Sequence, residues 1–176
     1  MNPGIQTSPR SGKQGISTTV NLYYEPVIYA PTKAGLFINY TEIPTQGIAF
    51  TDIQQISTGL YGNWERLPWR FIGSTFYIHN QMDRVSGSLD ESFFHAYLHT
   101  EYSLNNKWIL YGRIEGTLGD DDDAYLALSP GFVEDKILAG IRFDFARQNA
   151  LKLEISRNHT SEDNFGQLIL QWSASF

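Results

Sequence analysis

The 176-residue chain contains no cysteine, which removes disulfide frameworks, thiolate nucleophiles and thiolate metal sites. It holds no run of about 20 apolar residues, so no transmembrane helix is expected. That absence leaves β-strand membrane proteins admissible, because their signal per segment is much weaker. Basic residues are in deficit: 13 Lys and Arg against 19 Asp and Glu give a net charge of −6, which argues against nucleic acid as a partner. Met1-Asn-Pro-Gly4 lacks a basic region followed by an apolar stretch, so no secretory signal is visible. The protein is then either retained in the cell or already processed or truncated. No Gly-x-Ser-x-Gly, phosphate loop or zinc-ligand spacing occurs. Neither enzymatic activity nor a cofactor is expected.

Aromatic residues, by contrast, make up 14% of the chain, and apolar residues recur at period two. Residues 1–15 are rich in Gly, Ser, Pro and polar groups and read as a disordered leader. Residues 16–176 read as one β domain. Strands are expected near 16–28, 35–43, 51–63, 68–81, 91–103, 107–117, 135–146, 150–157 and 166–176. No segment sustains a 3.6-residue period.

Alternation separates two faces. Ile137, Ala139, Ile141, Phe143 and Phe145 oppose Lys136, Leu138, Gly140, Arg142 and Asp144. Leu151, Leu153 and Ile155 oppose Lys152, Glu154 and Ser156. Trp108, Leu110 and Ile114 oppose Lys107, Arg113 and Glu115, while Phe94, Ala96, Leu98 and Tyr102 oppose His95, His99 and Glu101. The apolar face points either into a soluble core or out to lipid. Two features favour lipid. Signs alternate closely on the charged face, as a lining that satisfies its own charges requires. Trp64, Trp69, Tyr102, Trp108, Phe145, Trp172 and Phe176 gather at strand ends, where a membrane-interface belt belongs.

The connections divide too. Ala30–Ala34, Trp64–Leu67, Leu104–Asn106 and Arg147–Asn149 read as tight turns, whereas 44–50, 82–90, 118–134 and 158–165 read as long polar loops carrying most of the acidity. Short turns at one end and long loops at the other is the arrangement of bacterial outer-membrane barrels.

The stretch Gly166-Gln-Leu-Ile-Leu-Gln-Trp-Ser-Ala-Ser-Phe176 is an alternating strand ending on an aromatic. Together with Asn106–Glu115, Asp135–Asp144 and Ala150–Arg157, it resembles the C-terminal hairpins of porin-like Gram-negative outer-membrane β-barrels. The resemblance covers roughly residues 91–176 and is one of hairpin pattern. It implies an all-β, antiparallel up-and-down transmembrane β-barrel in the bacterial outer membrane. It further implies passive passage of small polar solutes past a lining of Arg113, Glu115, Arg142, Asp144, Lys152 and Glu154. His95, His99 and Glu101 share that lining as hydrogen-bonding groups. Membrane lipid, lipopolysaccharide and the barrel-assembly machinery acting on the last strand are the implied partners, with a homo-oligomer open.

Strand number limits this reading. Nine strands conflict with the even counts of single-chain bacterial barrels. Either residues 16–28 are no wall strand, or another strand lies in 1–15, or the chain is part of a larger barrel. An eight-stranded barrel is filled by its own side chains and would serve as an anchor or adhesin. A soluble barrel binding an apolar ligand is the remaining alternative. Asp120, Asp121, Asp122 and Asp123 offer oxygen ligands to a hard cation, but consecutive residues do not all face one ion, and a solvated loop is the simpler reading.

Overall fold

The computed structural model describes residues 15–26, 32–45, 50–84, 86–119, 123–128 and 131–174. The expected leader at 1–14, Asp120 to Asp122 and the terminal Phe176 lie outside the described residues. Within them, nine strands follow in order: β1 (Ser17–Tyr24), β2 (Lys33–Pro44), β3 (Asp52–Arg66), β4 (Trp69–Arg84), β5 (Gly87–Ser103), β6 (Trp108–Leu118), β7 (Val133–Ala146), β8 (Asn149–Thr160) and β9 (Asn164–Ala174). Every strand pairs antiparallel with its sequence neighbours, giving one up-and-down sheet in the order β1 to β9. The all-β, antiparallel up-and-down arrangement is therefore the one the resemblance implies, built from the strands that the alternation predicts.

The pairing register carries the alternation across the sheet. Tyr102, Leu110, Ile141, Leu153 and Leu170 form one continuous cross-strand row. Displaced by one residue, Arg70, Glu101, Tyr111, Gly140 and Glu154 form a row on the other face. Because side chains alternate strictly, this register fixes one face as apolar over many strands.

That apolar face is uncovered. Ile155 is 63% exposed, Leu168 71% and Leu170 74%. Among the described residues each strand contacts only its sequence neighbours, so none of the nine strands stacks on either face. Soluble proteins rarely leave an apolar surface of this extent open to water. The buried cluster of Phe50, Ile53 and Met82 lies instead on the opposite, charge-bearing face, where Ile43, Leu89, Ala124 and Tyr125 pack against it.

Two expected loops are corrected. β4 runs to Arg84 and pairs with Gly87, so the expected loop at 82–90 is a continued hairpin with a short turn. Gly87 has φ 137°, a conformation that glycine adopts without steric cost. Likewise β8 reaches Thr160 and β9 starts at Asn164, which shortens the 158–165 loop. In both places polar residues such as Asp83, Asp90, Asn158 and Asn164 belong to strands. Conversely, β1 ends at Tyr24 and β2 starts at Lys33, so the connection expected to be tight at 30–34 is longer, with 27–31 outside the described residues. The division into short-turn and long-loop ends thus holds only in part. The 119–132 link remains the longest and includes a 3₁₀ turn at Leu126–Leu128.

Candidate functional site: the charge-bearing face

Strand pairing brings the nine expected lining residues, His95, His99, Glu101, Arg113, Glu115, Arg142, Asp144, Lys152 and Glu154, onto one face of β5 to β8. Most of their charges are met by neighbours along or across the strands. Arg113 contacts the Glu115 carboxylate through its terminal nitrogen, and its guanidinium sits 4.3 Å from the centre of the Tyr97 ring. Arg142 Nε donates to Asp144 at 2.7 Å. His99 Nε2 lies 3.2 Å from Glu101, whose other oxygen is 3.6 Å from Arg70. His95 Nδ1 shares a hydrogen bond of 2.9 Å with Thr117.

Arg142 and Lys152 stand directly opposite one another, and like charges so placed repel. Two contacts relieve them: Asp144 for the arginine, and the Tyr111 ring, 5.1 Å from Lys152 Nζ. Tyr111 in turn lies across Gly140 and donates to Glu154 Oε2 at 3.4 Å. The same device recurs at the other side of the sheet. Tyr61 crosses Gly35 and donates to Asn21 at 2.9 Å.

This face is less uniformly polar than the sequence led us to expect. Asn21, Phe37, Gly59, Phe76, His95 and Thr117 occupy a single cross-strand row. Phe76 packs on His95 with ring centres 5.0 Å apart, and Phe132 meets both Phe93 and His95 edge-on. Period-two alternation alone does not reveal this band. Its signal lay in Gly35-Leu-Phe-Ile38, Phe71-Ile72 and Phe93-Phe94, pairs of adjacent apolar residues in which one member must point away from the apolar face.

Towards the turn end, Lys107, Arg142, Asp144, Arg147 and Asn149 help to line an open cup of ≈ 600 Å³. At the loop end, Asn80 is wholly buried, accepting a hydrogen bond from Gln55. Asp123, the one described member of the aspartate run, is buried and accepts hydrogen bonds from the Tyr125 and Leu126 backbone through Oδ1. A helix-capping role accounts for those contacts. Among the described residues no cluster of three or more metal-ligating side chains occurs.

Six of the seven expected interface aromatics are described, and all lie at the turn end. Trp69 meets Tyr102 at 4.7 Å and Phe71 at 5.8 Å, and Trp64 meets Phe71 at 5.5 Å. Trp108 stacks on Phe143 at 4.3 Å, with Phe145 beyond it. Trp172 pairs in register with Leu151 and donates to Asn149 at 3.3 Å.

An antiparallel wall with one bare apolar face and one polar face whose charges are largely paired defines a class of architecture. No family model and no curated protein matches the chain. Among solved structures, the TodX deltaS2S3 mutant, a monoaromatic hydrocarbon channel, matches with a TM-score of 0.51 and 14% identity, over 90% of this chain and 49% of that one. The likeness establishes the fold. The chain spans about half the length of that channel.

Proposed function

We propose that this chain is wall of an outer-membrane β-barrel that passes small polar solutes, with no catalytic role. The observation that carries the reading is the inversion of burial: Leu153, Ile155, Leu168 and Leu170 are exposed, while the opposite face buries Asn80, Ser156 and Asn158. Lipid is the solvent that suits such a surface. On this reading Arg113, Glu115, Arg142, Asp144, Lys152 and Glu154 line the interior. The turn-end aromatics rest at the lipid–water boundary. Lipopolysaccharide surrounds the loop end, and assembly machinery engages the last strand.

A second reading differs in the solute. The Phe37, Phe76, His95 and Phe132 band supports passage of an aromatic or apolar solute, and the structural neighbour is a channel for monoaromatic hydrocarbons. A closed, plugged barrel with a structural role is the third possibility.

Heat-modifiable migration on a detergent gel tests the membrane reading, since folded barrels resist unboiled detergent. A monomer that stays monodisperse without detergent refutes it. Discrete conductance steps in planar bilayers separate a conduit from a plugged barrel. Vesicle swelling with sugars against uptake of toluene then separates the polar from the aromatic solute.

A further inference from the structure

The turn end of the polar face gathers positive charge in a chain that is negative as a whole. Its open cup of ≈ 600 Å³ is lined by Lys107, Arg142 and Arg147 against one carboxylate, Asp144, whereas the whole chain carries −6. Lys152, directly opposite Arg142 on the neighbouring strand, adds a fourth cation beside the cup. A concave surface of one sign raises the local concentration of its counter-ions.

Local structure accounts for the concavity. Asp144, Ala150 and Ser173 form one cross-strand row on the polar face, and the last two are small, so the floor is low. The longer Lys107, Arg142 and Arg147 side chains stand around it. The strand pairing is irregular between Asp144 and Ala146, and such bulges re-aim the side chains beside them. The donors in the cup are largely unpaired. Arg142 binds Asp144 through Nε alone, so among the described residues its two terminal nitrogens have no hydrogen-bond acceptor. Those nitrogens are the paired donors with which a guanidinium grips a carboxylate or phosphate. Lys107 and Arg147, both exposed, form no ion pair with any described residue. Arg142 and Lys152 are held face to face, a repulsion that an anion in the cup would offset.

We infer that the cup is a subsite for the carboxylate or phosphate group of a small soluble anion, at the turn-end mouth of the solute path. The inference rests on the reading of the polar face as an interior lining, and it narrows the solute from polar to anionic. A phosphate group could also come from a lipid headgroup. The floor of the cup, however, lies on the face opposite the exposed Leu151 and Leu153 that lipid would cover, which favours the soluble source.

Saturation-transfer NMR of the full chain, refolded in micelles of a detergent without phosphate, measures binding of succinate, with glucose as the neutral control. Inorganic phosphate at matched ionic strength is the competitor. The expected result is saturable succinate binding that phosphate displaces, and no binding of glucose. Arg147→Gln and Lys107→Gln, each at an exposed turn position, should each weaken succinate binding about tenfold, the usual worth of one charged hydrogen bond. Either variant serves if the other does not fold. Lys136→Gln removes a positive charge at the loop end of β7 and should leave the affinity nearly unchanged, because exposed charges that far apart are screened. A heat-modifiable protein that binds neither anion saturably overturns the subsite. So does one that loses as much affinity from Lys136→Gln as from Arg147→Gln. Displacement of succinate by phosphatidylglycerol added to the micelles would assign the cup to a lipid headgroup and overturn the soluble solute. An unaltered chain without heat-modifiable migration sinks the membrane reading instead, and the subsite with it.

Discussion

Tyr111 lies against Gly140 on the neighbouring strand, so close that the glycine has no room for a β-carbon beneath the ring. The contact lets the phenol cross β7 and reach Glu154 on β8. It also places the ring beside Lys152. A glycine is needed because any side chain there would lift the tyrosine off the sheet and break both contacts.

Gly140→Ala should therefore destabilise the protein by about 1–3 kcal/mol, the usual cost of overpacking. Gly62→Ala is the control, since its added carbon would meet only the Lys33 carbonyl at 3.7 Å, an ordinary contact. Urea midpoints of the two variants in detergent measure the difference. Equal midpoints would show that the tyrosine has somewhere else to go.

Adjacent residues on β8 test the assignment of faces. Leu153 belongs to the exposed apolar row and Glu154 to the opposite row. An arginine facing mid-bilayer lipid costs about 2–4 kcal/mol, so Leu153→Arg should sharply reduce the folded, membrane-inserted fraction. Glu154→Gln should leave that fraction nearly unchanged. Similar losses from both substitutions would mean that lipid does not touch the leucine side.

Much of this architecture could be read from the chain, and its failures have physical causes. The 137–145 and 151–155 segments alternate closely, so their two faces could be read directly, whereas the pairing register, with its irregularity between Asp144 and Ala146, could not. Met82 to Asp90 misled because polarity was equated with loop. There the strands continue, with Met82 opposite Ile53 in a small buried cluster on the polar face. Period-two counting also hid Phe37 and Phe76, because β2 and β4 are apolar on both faces for part of their length. Openness of the sheet was not legible from periodicity at all. It depends on how far nine strands curve, which alternation does not encode.

All four tryptophans, Trp64, Trp69, Trp108 and Trp172, sit near the turn end and are exposed on the apolar face. Amphipathic rings at this height belong at the headgroup boundary. Intrinsic fluorescence should therefore be quenched more by lipids brominated near the headgroup than by lipids brominated near the chain terminus. Quenching strongest at the bilayer centre would contradict the placement of the belt.

Arg113 offers the sharpest test of the polar face as an interior lining. Its guanidinium is shared between Glu115 and the Tyr97 ring, and it is paired across the strands with His99 and Leu138. Arg113→Gln removes the cation but leaves the Glu115 carboxylate, so the local balance becomes more negative by one charge. Stability should fall by about 1–3 kcal/mol, because a mostly buried acceptor loses its charged partner. If these residues line a conducting path, the reversal potential under a KCl gradient should also shift towards cation preference. The Arg113→Gln/Glu115→Gln double variant should restore the original selectivity, because both charges are then gone. A stability loss with no change in selectivity would place the pair in the wall but outside the path of the ions.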